Sequence, residues 1–460
     1  MDAQAPPYPV FSSALNAHER KLAAGVGVPL RLEHRHRWDP EEEYWGEPDE
    51  PVAPALRPII AAGPRDAWEL EQAVPGHDWE TSEDPILAAV ELAARAERAQ
   101  SRGLLASLLA IDVRCLDAHA HLGLLAFDYS AALALPHFAA GVAIGERSLP
   151  AGFAGLLPWG WIDNRPFLRC LHGYGLCLWR LGRSADAAAV FDALLWLNPG
   201  DNQGARMLMD TVHSGAGWSS EPDSWRARGA GRRALLDRAA PVLDQPPTVL
   251  SPGAFEPLRW LLDTAGDGLP LTQTGALGRQ VVRDAAVRFP DWWNSALFGP
   301  PNRAAELPLL EELHALSRRT GLLRRRGRRL LLTRRGEAAL TDADVLTQAA
   351  ARGLIAGDQF EREVAELACA ALLTEPIRDS NALVDAVHPA VAEDWRTEGG
   401  PVTTRAVRWA LDPFVHAATG LDALTARGHM LLTADGSELL ARALRHSATT
   451  GTPPRRPRPR

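Results

Sequence analysis

LHGYGLCLWRLGRSADAAAVFDALLWLNPGDNQGARMLM, residues 171–209, decides how the chain folds. Its apolar residues recur at three- and four-residue steps, the period of a helix with one buried face. Gly182 interrupts the pattern and Pro199 ends it, which predicts two helices folded back on each other. Gly175 and Ala187 are small enough to let antiparallel helices approach, and Phe191 fills the groove between neighbouring hairpins. One such hairpin cannot bury its apolar face alone, so it calls for neighbours of the same kind.

A related stretch lies upstream. LLASLLAIDVRCLDAHAHLGLLAF, residues 104–127, reads as an amphipathic helix ending near Ile111-Asp112, a short turn, and a helix carrying Leu122-Gly123. Phe191 to Pro199 spans eight residues, as does Leu105 to Val113, although the upstream copy lacks the proline. On these positions, roughly Ala88–Val212 resembles a tetratricopeptide-repeat array, tightly in the second copy and loosely in the first. The resemblance implies stacked helical hairpins that hold a peptide or protein partner. SLPAGFAGLLPWGWIDNRP, residues 148–166, breaks the family's period of about 34 residues. Rich in Gly, Pro and Trp, it predicts a structured loop. Asp163-Asn164 then offer a capping side chain, and Pro166 suits the first turn of the next helix.

Polar residues gather around that loop: Asn164, Arg165 and Arg169 at one helix start, then Asn198, Asp201, Asn202 and Arg206 after the next hairpin. Successive turns of stacked repeats lie near one another. Asn164, Arg165, Arg169, Asn198, Asn202 and Arg206 are therefore the candidate partner groove, suited to a peptide backbone or a carboxylate. The plainer alternative has the amides and proline ending helices while the arginines pair with nearby acids.

From Leu235 onward helices alternate with short β-like runs. TGLLRRRGRRLLLTRRGEAAL, residues 320–340, reads as a helix end, a strand, a turn at Gly327, a second strand, and a helix starting after Thr333. Helices are expected before it at 255–264, 276–289 and 307–319, with a short strand at 270–274. The segment resembles the wing of a winged-helix domain, over about 252–341. TGLDALTARGHMLLTADGSELL, residues 419–440, repeats Leu431, Leu432, Thr433, Gly436 and Leu440 one hundred residues after Leu331, Leu332, Thr333, Gly336 and Leu340. Each copy opens with Thr-Gly-Leu, so a second winged-helix-like domain is expected over 342–446.

Nine arginines fall between Arg318 and Arg335 with no acid among them. Arg324, Arg325, Arg326, Arg328 and Arg329 are the candidate nucleic-acid contacts, since such clusters bind phosphate. Against that use stand Glu306, Glu311 and Glu312 on or beside the helix that would read the major groove, and Asp435 and Glu438 in the second copy. Winged helices also serve as protein-docking pieces, and fold alone does not settle function. A formal net charge of −8 excludes a protein that coats nucleic acid or anionic membrane over its whole surface.

The remaining segments are assigned by composition. A chain of 460 residues suggests two to four domains. Residues 1–83 are proline-rich and acidic; the run DPEEEYWGEPDE, Asp39–Glu50, holds seven acids and no base. They read as a partly disordered arm, with Tyr44 and Trp45 as anchors should it bind a partner. Residues 84–213 are the helical array, 251–341 and 342–446 the two later domains. A Gly/Ser/Pro-rich linker is expected over 214–250, and a disordered basic tail over 447–460.

Four scattered cysteines without a CxxC pair read as buried thiols, and neither a metal nor a cofactor is expected. No Walker loop, GxGxxG, HExxH or GxSxG string occurs, so catalysis is not expected. The first residues show no signal-peptide pattern, and no apolar run approaches the roughly 20 residues of a spanning helix, which predicts a cytoplasmic protein without membrane contact. The sequence thus reads as mainly α: a tetratricopeptide-like array followed by two winged-helix-like domains. It is expected to act as a non-enzymatic adaptor for a protein or peptide. The alternative is a regulator that contacts DNA through the 324–335 hairpin.

Overall fold

The computed structural model describes residues 6–14, 28–43, 45, 51–78, 84–95, 97–218, 229–397, 400–425 and 430–451. The protein is mainly α-helical, with three small antiparallel sheets among the described residues. Two compact units divide it: Met1–Ser220 with Thr449–Arg460, and Glu221–Ala448.

In the first unit β1 (Leu32–Trp38) pairs antiparallel with β2 (Arg65–Leu70). The helices α1 (Pro85–Ala94), α2 (Arg98–Ile111), α3 (Leu116–Phe127), α4 (Ala131–Glu146), α5 (Arg165–Arg180), α6 (Ser184–Leu197) and α7 (Ala205–His213) follow. Each starts or stops for a local reason. The Asp84 side chain accepts from Ile86 N beside Pro85, and Ser130 does the same for Leu133 at α4. Asn198-Pro199 ends α6, and Asp201, in the left-handed region at φ 44°, accepts from Ala205 N and Arg206 N to start α7.

Each helix packs against the next, and α1 also meets α3, as α3 meets α5. Glycines make the close approaches, Gly123 and Gly175 among them. A β-carbon on Gly123 would run into the Phe138 ring, and one on Gly175 into Phe191. Both phenylalanines are fully buried, and truncating such a ring costs about 3–5 kcal/mol.

The arm expected over residues 1–83 is corrected in its described part. Leu30, Trp38, Leu56, Ile59, Ala67 and Leu70 are buried in the same core as α3 to α7. The cause is local patterning: along RDAWEL, Arg65, Ala67 and Glu69 are buried while Asp66 is exposed, the alternation of a half-covered strand. Arg65 lies between the Trp38 and Trp196 rings, 5.4 and 5.1 Å from their centres, and donates to Trp196 O; burial lowers its guanidinium to about 10. Tyr44 and residues 46–50 of the acidic run lie outside the described residues, whereas Trp45 stands edge-on to Trp38.

The second unit holds α8 (Ala230–Leu243), α9 (Glu256–Thr264), β3 (Leu269–Pro270), α10 (Arg279–Arg288), α11 (Pro308–Arg319), β4 (Leu323–Arg326), β5 (Arg329–Leu332) and α12 (Arg334–Thr341). Then come α13 (Ala343–Leu354), α14 (Gln359–Thr374), α15 (Ser380–Asp394), α16 (Thr404–Gly420) and α17 (Ala434–Thr449). The linker expected over 214–250 therefore contains a helix. Packed on α14 and α15, α8 buries Leu235, Leu236, Ala239 and Arg232, whose guanidinium meets Glu363 and Glu366. Residues 219–228 lie outside the described set, as do 452–460 of the expected basic tail; residues 447–449 are helical.

Strand order in the three-stranded sheet is β3-β5-β4, with Leu323 opposite Leu332 and Arg326 opposite Arg329. Beyond β4 and β5 the chain enters α12 through Thr333. Its amide donates to Leu322 O, and its hydroxyl accepts from Gly336 N. Thr433 repeats this before α17, donating to Ala423 O and accepting from Gly436 N. The equivalent backbone positions are Gly321 (φ 75°) with Asp422 (φ 57°), and Leu322 with Ala423. The two Thr-Gly-Leu triplets are thus out of step, because α16 continues through Gly420 whereas α11 stops at Arg319. Where a second wing is expected, the described residues show the bridge between Leu424 and Leu432 and a bond from Thr425 N to Leu431 O; residues 426–429 lie outside them.

Candidate partner groove and arginine hairpin

The 148–166 loop is built inward. Leu156 and Leu157 are fully buried; Leu156 N donates to Asp66 O and Leu157 N to Leu197 O. These anchors bring Trp159 out over the start of α5. Asn198 Oδ1 accepts from Trp159 N at 3.0 Å, and Arg165 Nε donates to Trp159 O at 3.0 Å. The Arg165 and Arg169 guanidinium groups lie over the Trp159 ring, 5.4 and 5.5 Å from its centre. Arg169 Nη1 reaches the Asp117 carboxylate at 2.7 Å, which also accepts from Gln72.

Of the six candidate groove residues, four meet around this loop. Asn164 is one of them but is spent internally. It accepts from Leu70 N at 2.8 Å and donates to Trp68 O and Pro158 O, all while fully buried. It joins β2 to the loop and does not act as the cap its position suggested; α5 starts at Arg165, with Pro166 in its first turn and no side-chain cap. Buried Asn198 likewise fixes the Trp159 backbone. Asn202 and Arg206 lie on the following turn: Asn202 is exposed beside Gly200, and Arg206 stands 3.6 Å from Asp201.

Sequence reasoning missed the aromatic shelf and its far wall. Trp161 is 37% exposed and carries the Arg35 guanidinium 5.3 Å above its ring, while Arg35 pairs with Glu69 at 2.5 Å. Asp163 sits between these groups, its carboxyl pushed up by burial and by Glu69, and held down by Arg35. The two tryptophans were visible in PWGW; Arg35 was not, because β1 was expected to be an arm. The shelf thus offers indole faces and half-exposed guanidinium groups, a surface for carboxylates, amides and aromatic rings.

In the second unit Arg324, Arg325, Arg326, Arg328 and Arg329 are all exposed. Arg325 donates to Gly327 O and Arg329 to Asp267 O and Gly268 O. Among the described residues none of the five pairs with a carboxylate. The helix before them is less free. Leu310, Leu313, Leu316 and Ser317 of α11 are buried, and α11 packs on both α16 and α13. A β-carbon on Gly420 would crowd Leu313, and one on Gly353 would overlap Leu316. Glu312 is held by Arg319 at 2.5 Å, and burial lowers the His314 imidazole to about 4.

Fold and surfaces define a mainly helical protein with two chemically distinct exposed faces. The family model described as the Y4jL N-terminal domain matches residues 256–345, which run from the start of α9 into α13. No curated protein and no solved structure matches the chain. Among the described residues no helix is long and apolar enough to cross a membrane, and no group of His, Cys, Asp and Glu could hold a metal ion. All four cysteines are buried and free; burial pushes the Cys115 thiol up to about 12.

Proposed function

We propose that the protein is a non-enzymatic adaptor whose first unit is a tetratricopeptide-like array holding a protein or peptide partner. The carrying observation is the repeated seat: Gly123 against Phe138 and Gly175 against Phe191, in helices that pack each on its successor. Such an array stacks helices into an extended surface, and surfaces of that kind bind chains rather than transform small molecules. The Trp159 and Trp161 shelf, with Arg35, Arg165 and Arg169, supplies stacking and charge at one part of it.

A second reading rests on the arginine hairpin. Five exposed guanidinium groups without carboxylate partners favour contact with a phosphate backbone. Burial of α11 against α16 and α13 argues against insertion of that helix into a major groove, so any such contact would be sequence-independent.

Capture from cell extract with tagged full-length protein separates the two. The adaptor reading expects a nuclease-resistant protein partner, lost in Arg165→Glu/Arg169→Glu and kept in Arg324→Glu/Arg325→Glu/Arg328→Glu. A partner lost on nuclease treatment and in the triple variant overturns it in favour of the second reading. Unchanged duplex-DNA affinity in the triple variant, across a salt titration, removes the second reading.

A further inference from the structure

At its carboxyl end α4 presents Glu146, which is only 7% exposed. A carboxylate there is disfavoured twice, by the negative end of the helix dipole and by burial, which pushes its carboxyl up. Its compensation comes from one place. Tyr8 Oη donates to Oε1 at 2.9 Å, Phe11 N to Oε1 at 2.8 Å, and Ser12 N to Oε2 at 2.9 Å. Among the described residues every hydrogen bond to this carboxylate comes from residues 8–12.

The segment that supplies them has the form of a bound peptide. Pro6, Pro7, Pro9 and Val10 are exposed, while Tyr8, Phe11 and Ser12 are half-buried. Tyr8 lies 6.5 Å from the Phe167 ring and 5.7 Å, edge-on, from Phe11. Its amide donates to Phe153 O, the one backbone bond among the described residues that ties residues 6–14 to the loop. Prolines at 6, 7 and 9 hold the chain extended before it binds, which lowers the ordering cost, and they leave few amides to satisfy. Two aromatic anchors three residues apart, a pre-extended backbone and a carboxylate that receives amide protons make up a peptide-recognition site.

We propose that the cleft around Glu146 is a docking site for proline-flanked segments of the pattern Tyr-x-x-Phe, and that Tyr8–Ser12 is its tethered occupant. A partner bearing the same pattern enters by displacing the chain's own copy. The proposal rests on the adaptor reading of the first unit and assigns that reading a second surface, separate from the Trp159 shelf. The thirteen residues 15–27 separate the segment from Val28, the next described residue, a reach of at most about 45 Å. A tether that short keeps the occupant at roughly millimolar effective concentration, so a free competitor binds the intact chain weakly.

The test is titration of a fluorescent peptide of residues 6–14 into full-length protein. Wild type should bind it at least about tenfold more weakly than Tyr8→Ala/Phe11→Ala, in which the tethered copy no longer holds the cleft. Adding Glu146→Gln to that background should reduce binding by about tenfold or more, because amide protons then lose their anion. Equal binding to wild type and a folded double variant overturns the proposal, as does indifference to Glu146→Gln. Should the double variant not fold, hydrogen exchange on wild type decides. Excess unlabelled peptide should speed exchange at Phe11 and Ser12, and unchanged protection rejects displacement. If the peptide fails while full-length bait still captures a partner through the Arg165/Arg169 surface, this site falls and the adaptor reading stands.

Discussion

The corner between α11 and α12 and the corner between α16 and α17 share one backbone device and carry opposite chemistry. In both, a threonine returns to the carbonyl of the residue just past a left-handed position, then caps the next helix through a glycine amide. The first corner extends into a ladder with five exposed arginines. Among its described residues the second has the Leu424–Leu432 bridge and a bond from Thr425 N to Leu431 O, and two of its acids are committed: Asp435 holds Ser251, while Glu438 meets Thr248 and Arg442. Charge composition alone therefore misleads. The acids of the second corner are fasteners, whereas among the described residues the five arginines of the first meet backbone carbonyls or solvent and no carboxylate.

Substitutions at the paired positions break or sharpen the comparison. The largest effect belongs to the glycines of the caps. A β-carbon at Gly336 would overlap Leu322 O, and one at Gly436 would overlap Ala423 O. Valine at either should cost about 3 kcal/mol in urea unfolding; tolerance at one site only would mean that the corners are not equivalent. Thr333→Val and Thr433→Val each lose a cap and should cost about 1–2 kcal/mol, by similar amounts.

The left-handed positions should then separate the two copies. Gly321→Ala is expected to cost about 1 kcal/mol, and Asp422→Gly to gain a fraction of that, opposite signs at one backbone site. The smallest effect concerns protons. Partial burial, and then Glu256, push the Asp422 carboxyl from 3.8 up to about 6, so the folded state favours its protonated form. That contribution is fully present below the unfolded value and is lost as pH rises through about 6. Asp422→Asn should therefore add a few tenths of a kcal/mol at pH 7, limited by solvent screening, and almost nothing at pH 4, by urea titration at both.

Helix boundaries were legible wherever a terminator stood in the sequence. The stops read at Ile111 and before Pro199 fall at the ends of α2 and α6, and the helices expected at 255–264 and 307–319 occur at 256–264 and 308–319. β1 and β2 were hidden because charged residues and prolines dominate the average over residues 1–83, while burial alternates only over Arg65–Glu69 of β2 and β1 buries Trp38 at its end. The out-of-step triplets show a different limit: Thr-Gly-Leu is a string of letters, and only φ tells which residue takes the turn. In the candidate groove, residue types pointed to one loop but not to their employment in it. Whether an asparagine caps a helix or ties a strand depends on a partner far along the chain.

The Asn164 bond to Leu70 spans 94 positions. During synthesis the first strands leave the ribosome well before the residue that fastens them exists. Loop-closure entropy of that length slows the joining, which places the β1–β2 edge among the last parts of this unit to gain protection. A nascent chain stalled before residue 164 is thus a natural client for a chaperone.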